Sequence, residues 1–79
     1  MGRAGKALSQ VLETYGISQN RLAVTMGIGR STVHHWVKET REPLAESVLE
    51  IAEALEKIDE AAAKEFITLY LGRFADNDG

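Results

Sequence analysis

Apolar residues recur every three or four positions along almost the whole length of this chain. That period is typical of one face of an α-helix, and no segment alternates polar and apolar residues over the length of a strand. The only proline is Pro43, and the glycines stand mainly at the junctions between periodic segments. The pattern therefore predicts an all-α fold with five helices, at about residues 5–15, 18–26, 30–39, 43–58 and 59–74, with Asp59 as the cap of the fifth. The residues expected to face the core are, in the fourth helix, Leu44, Val48, Ile51, Ala52 and Leu55 and, in the fifth, Phe66, Ile67, Tyr70, Leu71 and Phe74.

Length and composition restrict how such helices can be stabilised. The chain has 79 residues and no cysteine, so we expect a single domain over 1–79 without disulfides or thiolate metal sites. A chain this short buries only about 60% of its unfolded surface, which leaves stability to close packing, with or without a partner subunit. No apolar run approaches the roughly 20 residues of a membrane span, and no signal peptide opens the chain. We expect a cytoplasmic, nucleoid-associated protein with no membrane partner and a disordered tail over 75–79.

Four residues in the first half stand at spacings that two closely crossing helices require. Ala23 is small enough to let the helices approach, and Gly27 can adopt the positive φ of a tight turn. Val33 and Trp36 would fix the second helix to the core. This arrangement predicts a helix-turn-helix over about 18–39, the motif whose second helix enters the major groove of DNA.

The charge is divided unequally between the two halves of the chain. Net charge is −3 overall, which on its own argues against a polyanionic partner. Residues 1–43, however, carry six cationic side chains against three carboxylates, net +3, whereas residues 44–79 carry three against nine, net −6. An anion-binding face is therefore expected in the first half.

The segment ISQNRLAVTMGIGRSTVHHWVKETREPLAESVLEIAEAL resembles the Xre/Cro family, the phage-repressor-type helix-turn-helix domains of bacteria and their phages. The resemblance covers about residues 5–58. It rests on the SQ-x-x-LA opening, the G-I-x-x-S-x-V turn, the tryptophan, the later proline and the run ESVLEIAEAL, all in the family's order. It implies a five-helix all-α fold, sequence-specific binding of double-stranded DNA, a role in transcription regulation and frequent homodimerisation.

The chain departs from the family pattern near the recognition helix and at its C-terminal end. Val37 stands where glutamate is frequent, and Glu39 stands where a glycine is common. Gly29 replaces the usual Ser or Thr cap before the third helix, a weaker but acceptable choice. The segment 59–74 is an additional C-terminal helix. These differences leave the exit of the recognition helix and the mode of dimerisation open.

The third helix has one polar and one apolar arc at about 100° per residue. The polar arc is the candidate base-reading surface and contains Arg30, Ser31, His34 and His35, together with Lys38. A guanidinium at Arg30 could bind guanine O6 and N7 bidentately, worth about 1–3 kcal/mol of discrimination. Ser31 would read less selectively, and His34 and His35 could donate to guanine N7 or to a phosphate.

Further polar side chains around this helix are candidates for positioning the domain on the DNA backbone. Arg21, Lys38 and Arg41 are placed for phosphates, which orient a protein without specifying sequence. The resemblance implies that Gln19, at the start of the second helix, either holds a phosphate or braces the recognition helix.

The adjacent histidines also raise the question of a metal site. Neighbours on a helix point about 100° apart, so His34 and His35 would not share one ion, and no third ligand has suitable spacing. Each is therefore either a solvent-facing side chain or a DNA contact. No Ser/His/Asp arrangement, phosphate loop or carboxylate pair indicates an enzyme. We expect no cofactor, metal or small-molecule ligand.

Two functions remain open. The first is a DNA-binding regulator acting as a homodimer, with Phe66, Tyr70 and Phe74 as the candidate interface because aromatic residues are enriched at interfaces. The same stripe could instead close the core of the monomer. The second function is an antitoxin-like or adaptor module that keeps the fold and binds a protein through its acidic C-terminal half.

Overall fold

A computed structural model describes residues 3–72 of the chain. It contains five helices in this range, α1 (Arg3–Tyr15), α2 (Gln19–Met26), α3 (Arg30–Val37), α4 (Ala45–Ile58) and α5 (Glu60–Tyr70), and no strand in the same residues. The all-α, five-helix prediction is confirmed. The predicted tail over 75–79 lies outside the described residues.

All five helices contribute to one hydrophobic core. Helix α5 packs against α4 and α1, α2 packs against α4, and α3 packs against both α1 and α2. The largest side chains with no exposed surface are Leu8, Val11, Leu22, Val33, Ile51, Leu55 and Phe66. The recognition helix predicted from the sequence is thus held by the first two helices, and α4 and α5 pack against each other and against those two helices.

The turn between α2 and α3 has the geometry that the sequence requires. Gly27 has φ +74°, and its backbone N–H donates to the carbonyl oxygens of Ala23 and Val24. Ala23 is almost completely buried, so the helices approach where its side chain is small. At the other end of α2, the Ser18 hydroxyl accepts a hydrogen bond from the Arg21 backbone N–H at 2.9 Å and caps the helix.

Helix α3 ends at Val37, two residues before the predicted boundary at Glu39. Lys38 is the last residue with helical backbone angles, and Glu39 follows in the left-handed region with φ +62°. A side chain in this conformation costs about 1–2 kcal/mol relative to glycine, which explains why a glycine suits this place. The strained residue ends the helix and directs the chain into the loop before α4.

The start of α4 differs from the prediction. The helix begins at Ala45, while Pro43 is buried in the preceding loop and does not open the helix. Leu44, predicted to face the core, is the extended N-cap residue and is 75% exposed. Because the backbone of this N-cap residue is extended and not helical, the Leu44 side chain points away from the buried face of the helix that follows. The buried residues of α4 therefore begin after Leu44. Ala54 belongs to the buried face of α4 instead, together with the predicted Val48, Ile51 and Leu55.

Helix α5 is shorter than predicted at its C-terminal end. The Asp59 carboxylate caps it by accepting from the Ala61 backbone N–H at 3.0 Å, as the sequence indicated, and the helix ends at Tyr70. Ala62, Ala63 and Phe66 form its buried face, whereas Ile67 and Leu71, predicted to face inward, are exposed. Within residues 3–72, no helix combines the length and apolar character needed to cross a membrane.

Candidate nucleic-acid interface

The inner face of α3 is anchored to the core by two large side chains. Val33 has no exposed surface and Trp36 is 5% exposed. Their burial determines which way the rest of α3 faces, because residues three apart lie on the same side of a helix. The polar arc of the helix is therefore turned to solvent.

A close approach between α1 and α3 fixes the C-terminal end of α3, and sequence reasoning missed it. Gly5 lies against the Trp36 backbone, where a Cβ on residue 5 would overlap the Trp36 carbonyl oxygen and would also contact the Glu39 side chain. Only a glycine lets the helices come this near. The available signal was a glycine inside an apolar-periodic segment, which often marks a packing constraint.

Three of the predicted base-reading residues lie together. Arg30, Ser31 and His34 line one shallow depression, and all three side chains are exposed. Arg30 is the first residue of α3 and follows the N-cap Gly29, which offers no side chain to cover the helix start. The depression thus presents a guanidinium, a hydroxyl and an imidazole to whatever approaches this face.

A hydrogen bond between helices holds His34 in place. Its Nδ1 lies 3.2 Å from the Gln19 side-chain carbonyl oxygen Oε1, at the first residue of α2. Gln19 is half-buried. The contact joins the start of α2 to the exposed face of α3.

His35 has a different partner at the end of α3. Its Nδ1 is 2.9 Å from the Thr40 hydroxyl, which also donates to the His35 carbonyl oxygen at 3.2 Å. The two imidazole centroids are 6.5 Å apart with a 60° tilt, so the rings serve separate partners. No group of three His, Cys, Asp or Glu side chains in the described part of the chain could hold a metal ion.

The predicted phosphate-positioning cations lie on the segments next to α3. Arg21 is exposed on the first turn of α2, while Lys38 and Arg41 are exposed at the end of α3 and in the loop after it. Cationic side chains thus stand both before and after the Arg30 depression in the chain. Helices α4 and α5 together carry six of the ten carboxylates in residues 3–72.

The predicted aromatic interface requires a correction. Phe66 has no exposed surface and belongs to the core, so it is wrong as a residue that a second subunit contacts. The half-buried Tyr70 stacks on it, with ring centroids 6.2 Å apart, and Phe74 lies outside the described residues. Helix α5 packs against α1 and α4, and the Phe66 side chain is used up in that packing. It therefore has no surface left for a partner to contact.

Two of the exposed large apolar side chains lie together in a groove between α4 and α5. Leu49 is 61% exposed and Ile67 is 38% exposed. The residues lining this α4–α5 groove are Leu49, Ala52, Glu53, Glu56, Ala63, Lys64, Ile67 and Thr68. Contiguous exposed apolar side chains of this kind mark an interaction surface more often than scattered single ones do.

A comparison with protein families agrees with the residues and the geometry. The helix-turn-helix family model matches residues 8–61, more than half of the chain, from α1 into the beginning of α5. No curated protein and no solved structure matches the chain. The matched range contains the α2–turn–α3 unit, its core anchors and the exposed polar arc of α3. The chain therefore belongs to the Xre/Cro-type helix-turn-helix family of DNA-binding domains.

Proposed function

We propose that this protein is a sequence-specific regulator of transcription that inserts α3 into the major groove of double-stranded DNA as a homodimer. The observation that supports this most is the joint exposure of Arg30, Ser31 and His34 on a helix whose opposite face is buried. Reading of base edges requires polar side chains that one anchored helix presents together, and α3 has this arrangement.

The dimensions and chemistry of α3 fit the major groove. The groove is about 12 Å wide and admits an α-helix, and the first turn of an entering helix reaches the base edges. Arg30 lies in that turn and carries the guanidinium fork that matches guanine O6 and N7. Arg21, Lys38 and Arg41 would contact the flanking phosphates and set the register of the helix.

The charge distribution supports the same orientation. Nine of the twelve carboxylates lie in residues 44–79, which include α4 and α5. The phosphate backbone would repel that half and attract the cationic half that contains α3. A protein with net negative charge can therefore bind DNA, because the excess of positive charge and the excess of negative charge lie in different halves of the chain.

The α4–α5 groove is the surface we propose for dimerisation. Glu53 and Glu56 lie on its α4 side, and Lys64 lies on its α5 side. A two-fold axis through an isologous contact places the same patch of two subunits face to face. Lys64 of each subunit would then approach the carboxylates of the other, around an apolar centre of Leu49 and Ile67.

The α4–α5 groove also supports the second candidate, a module that binds another protein. Its apolar floor and acidic rim lie on the half of the chain that carries the negative charge. Such a partner would be held by apolar contact. This function and DNA binding differ in their response to salt, since release of counterions from DNA makes binding strongly salt-dependent.

Binding to duplex fragments should weaken steeply as salt is raised. With three phosphate-contacting cations in each of two subunits, the slope of log K against log salt should be about −5. Fluorescence anisotropy with long genomic fragments at several salt concentrations measures it. An Arg41→Ala variant should reduce the slope by about 2, one contact per subunit.

The matched control is Lys57→Ala, which removes an exposed cation from α4 and should leave the slope unchanged. A wild-type slope near zero would contradict the regulator and favour the protein-binding module. Equal slopes for Arg41→Ala and Lys57→Ala would show that the DNA does not lie against α3 and the loop that follows it.

A further inference from the structure

We infer that His34 reads the exocyclic amino group of adenine or cytosine in the major groove, because Gln19 fixes the proton of its imidazole on Nδ1. This assignment rests on the proposed DNA-binding function and names a base class that one side chain selects. It also changes the sequence-based expectation, in which His34 donates to guanine N7 or to a phosphate.

The tautomer follows from the chemistry of the Gln19–His34 pair. The Gln19 atom facing His34 Nδ1 at 3.2 Å is the amide carbonyl oxygen, which only accepts hydrogen bonds. With the amide in this orientation, the hydrogen between the two atoms belongs to Nδ1. A neutral imidazole carries one N–H, so Nε2 is left with its lone pair and is an acceptor.

The free nitrogen is available to the DNA. His34 is exposed, and among the described residues the Gln19 contact is the one hydrogen bond of its side chain. The ring lines the same depression as Arg30 and Ser31. An Nε2 lone pair on this surface is therefore placed with the other groups proposed to read bases.

Two groups in the major groove can donate a hydrogen bond to this lone pair. Adenine N6 and cytosine N4 are amino donors, whereas guanine O6 and N7 and thymine O4 are acceptors that would face the lone pair unfavourably. Arg30 carries donors only. The two side chains of one depression are thus complementary: Arg30 matches guanine, and His34 matches an amino-bearing base.

His35 provides an internal contrast. Its Nδ1 faces the Thr40 hydroxyl at 2.9 Å, and a hydroxyl can donate or accept. The hydroxyl has a single proton, which it can donate either to the His35 carbonyl oxygen at 3.2 Å or to Nδ1, and the carbonyl oxygen also accepts from the Thr40 and Arg41 backbone N–H groups. The Thr40 contact consequently allows either tautomer, and His35 is adaptable where His34 is fixed.

The tautomer can be measured in the free protein by long-range ¹H–¹⁵N NMR of the histidine rings. The spectra are recorded at about pH 9, above the range of pH 5 to 8 in which an unperturbed imidazole changes its charge. We expect the His34 proton on Nδ1 in the wild type and a shift of that proton toward Nε2 in Gln19→Ala. A wild-type His34 with its proton on Nε2 would overturn the inference without affecting the proposed function.

The base preference can be measured at the same pH with duplexes that the wild-type protein selects. Substituting each base in turn should reveal one position where adenine or cytosine is preferred roughly 10-fold, the size expected for a good base contact. His34→Ala and Gln19→Ala should both abolish that preference. His34→Gln, which retains an acceptor, should restore it for adenine, and His35→Ala should leave this position unchanged.

The outcomes separate the two proposals. If the duplexes bind but the position that depends on His34 prefers guanine, the inference fails and the proposed function stands. If His34→Ala weakens binding by the same factor whichever base is substituted, His34 acts through the phosphate backbone, and the inference also fails. If no duplex binds, both proposals fail, even where NMR finds the proton on Nδ1.

Discussion

Replacing Gly5 with valine is expected to lower the free energy of unfolding by about 3 kcal/mol, the upper end of the usual cost of overpacking. A Cβ at this position would overlap the backbone carbonyl oxygen of Trp36, and backbone cannot move aside as a flexible side chain can. Helix α1 must then separate from α3, which exposes part of a core that a 79-residue domain cannot spare. Urea unfolding followed by circular dichroism measures the change.

The matched control is Gly72→Val. A Cβ on residue 72 would meet no atom within 4 Å, and the φ of Gly72 is not positive. The same substitution there should change the free energy of unfolding by no more than about 0.5 kcal/mol, as is usual for surface sites. Equal effects at the two glycines would show that the Gly5–Trp36 approach does not stabilise the fold.

If the proposed dimer forms through the α4–α5 groove, Leu49→Glu is expected to convert it into a monomer and to reduce affinity for a two-half-site duplex by roughly 100-fold or more. Linking two binding surfaces raises the overall affinity by about 10²–10⁴ through effective concentration. A carboxylate at residue 49 would place a third negative charge beside Glu53 and Glu56 in an apolar contact. Because Leu49 is 61% exposed, the monomer should stay folded. Light scattering gives the mass, and DNA titration gives the affinity.

Leu44→Glu provides the comparison for the mass measurement. It introduces the same change at a leucine that is 75% exposed and lies outside the α4–α5 groove. We expect this variant to remain a dimer. If Leu44→Glu were monomeric and Leu49→Glu dimeric, the interface would lie at the start of α4 and not in the α4–α5 groove.

The local features of the fold were predictable from the sequence because they depend on neighbours a few residues away. The 3.6-residue period indicated the five helices, and the positive φ of Gly27 was expected from its place in a tight turn. The outward face of α3 followed once Val33 and Trp36 were assigned to the core. These features do not depend on how distant helices meet.

The features that the sequence did not reveal depend on contacts between distant segments. Residues 5 and 36 are far apart along the chain, so the need for a glycine at 5 appears only when α1 lies against α3. The Gln19–His34 hydrogen bond likewise joins residues 15 positions apart. An aromatic stripe on α5 left open whether Phe66 would be buried in the core or would face a partner, and it gave no indication that Leu49, on another helix, would be exposed. Helical period shows that a face is apolar, and packing determines what covers it.

The direct test of α3 as the reading helix is selection of bound sequences from a random duplex pool, for the wild type, Arg30→Ala and Arg41→Ala in parallel. The wild type should recover two related half-sites whose centres are about 34–36 Å apart, or a multiple of this distance. Arg30→Ala should lose discrimination at one guanine per half-site, roughly 10-fold or more. Arg41→Ala should recover the same sequence with uniformly weaker binding. Retention without a recoverable sequence, or an unchanged guanine in Arg30→Ala, would contradict the assignment of α3 to the major groove.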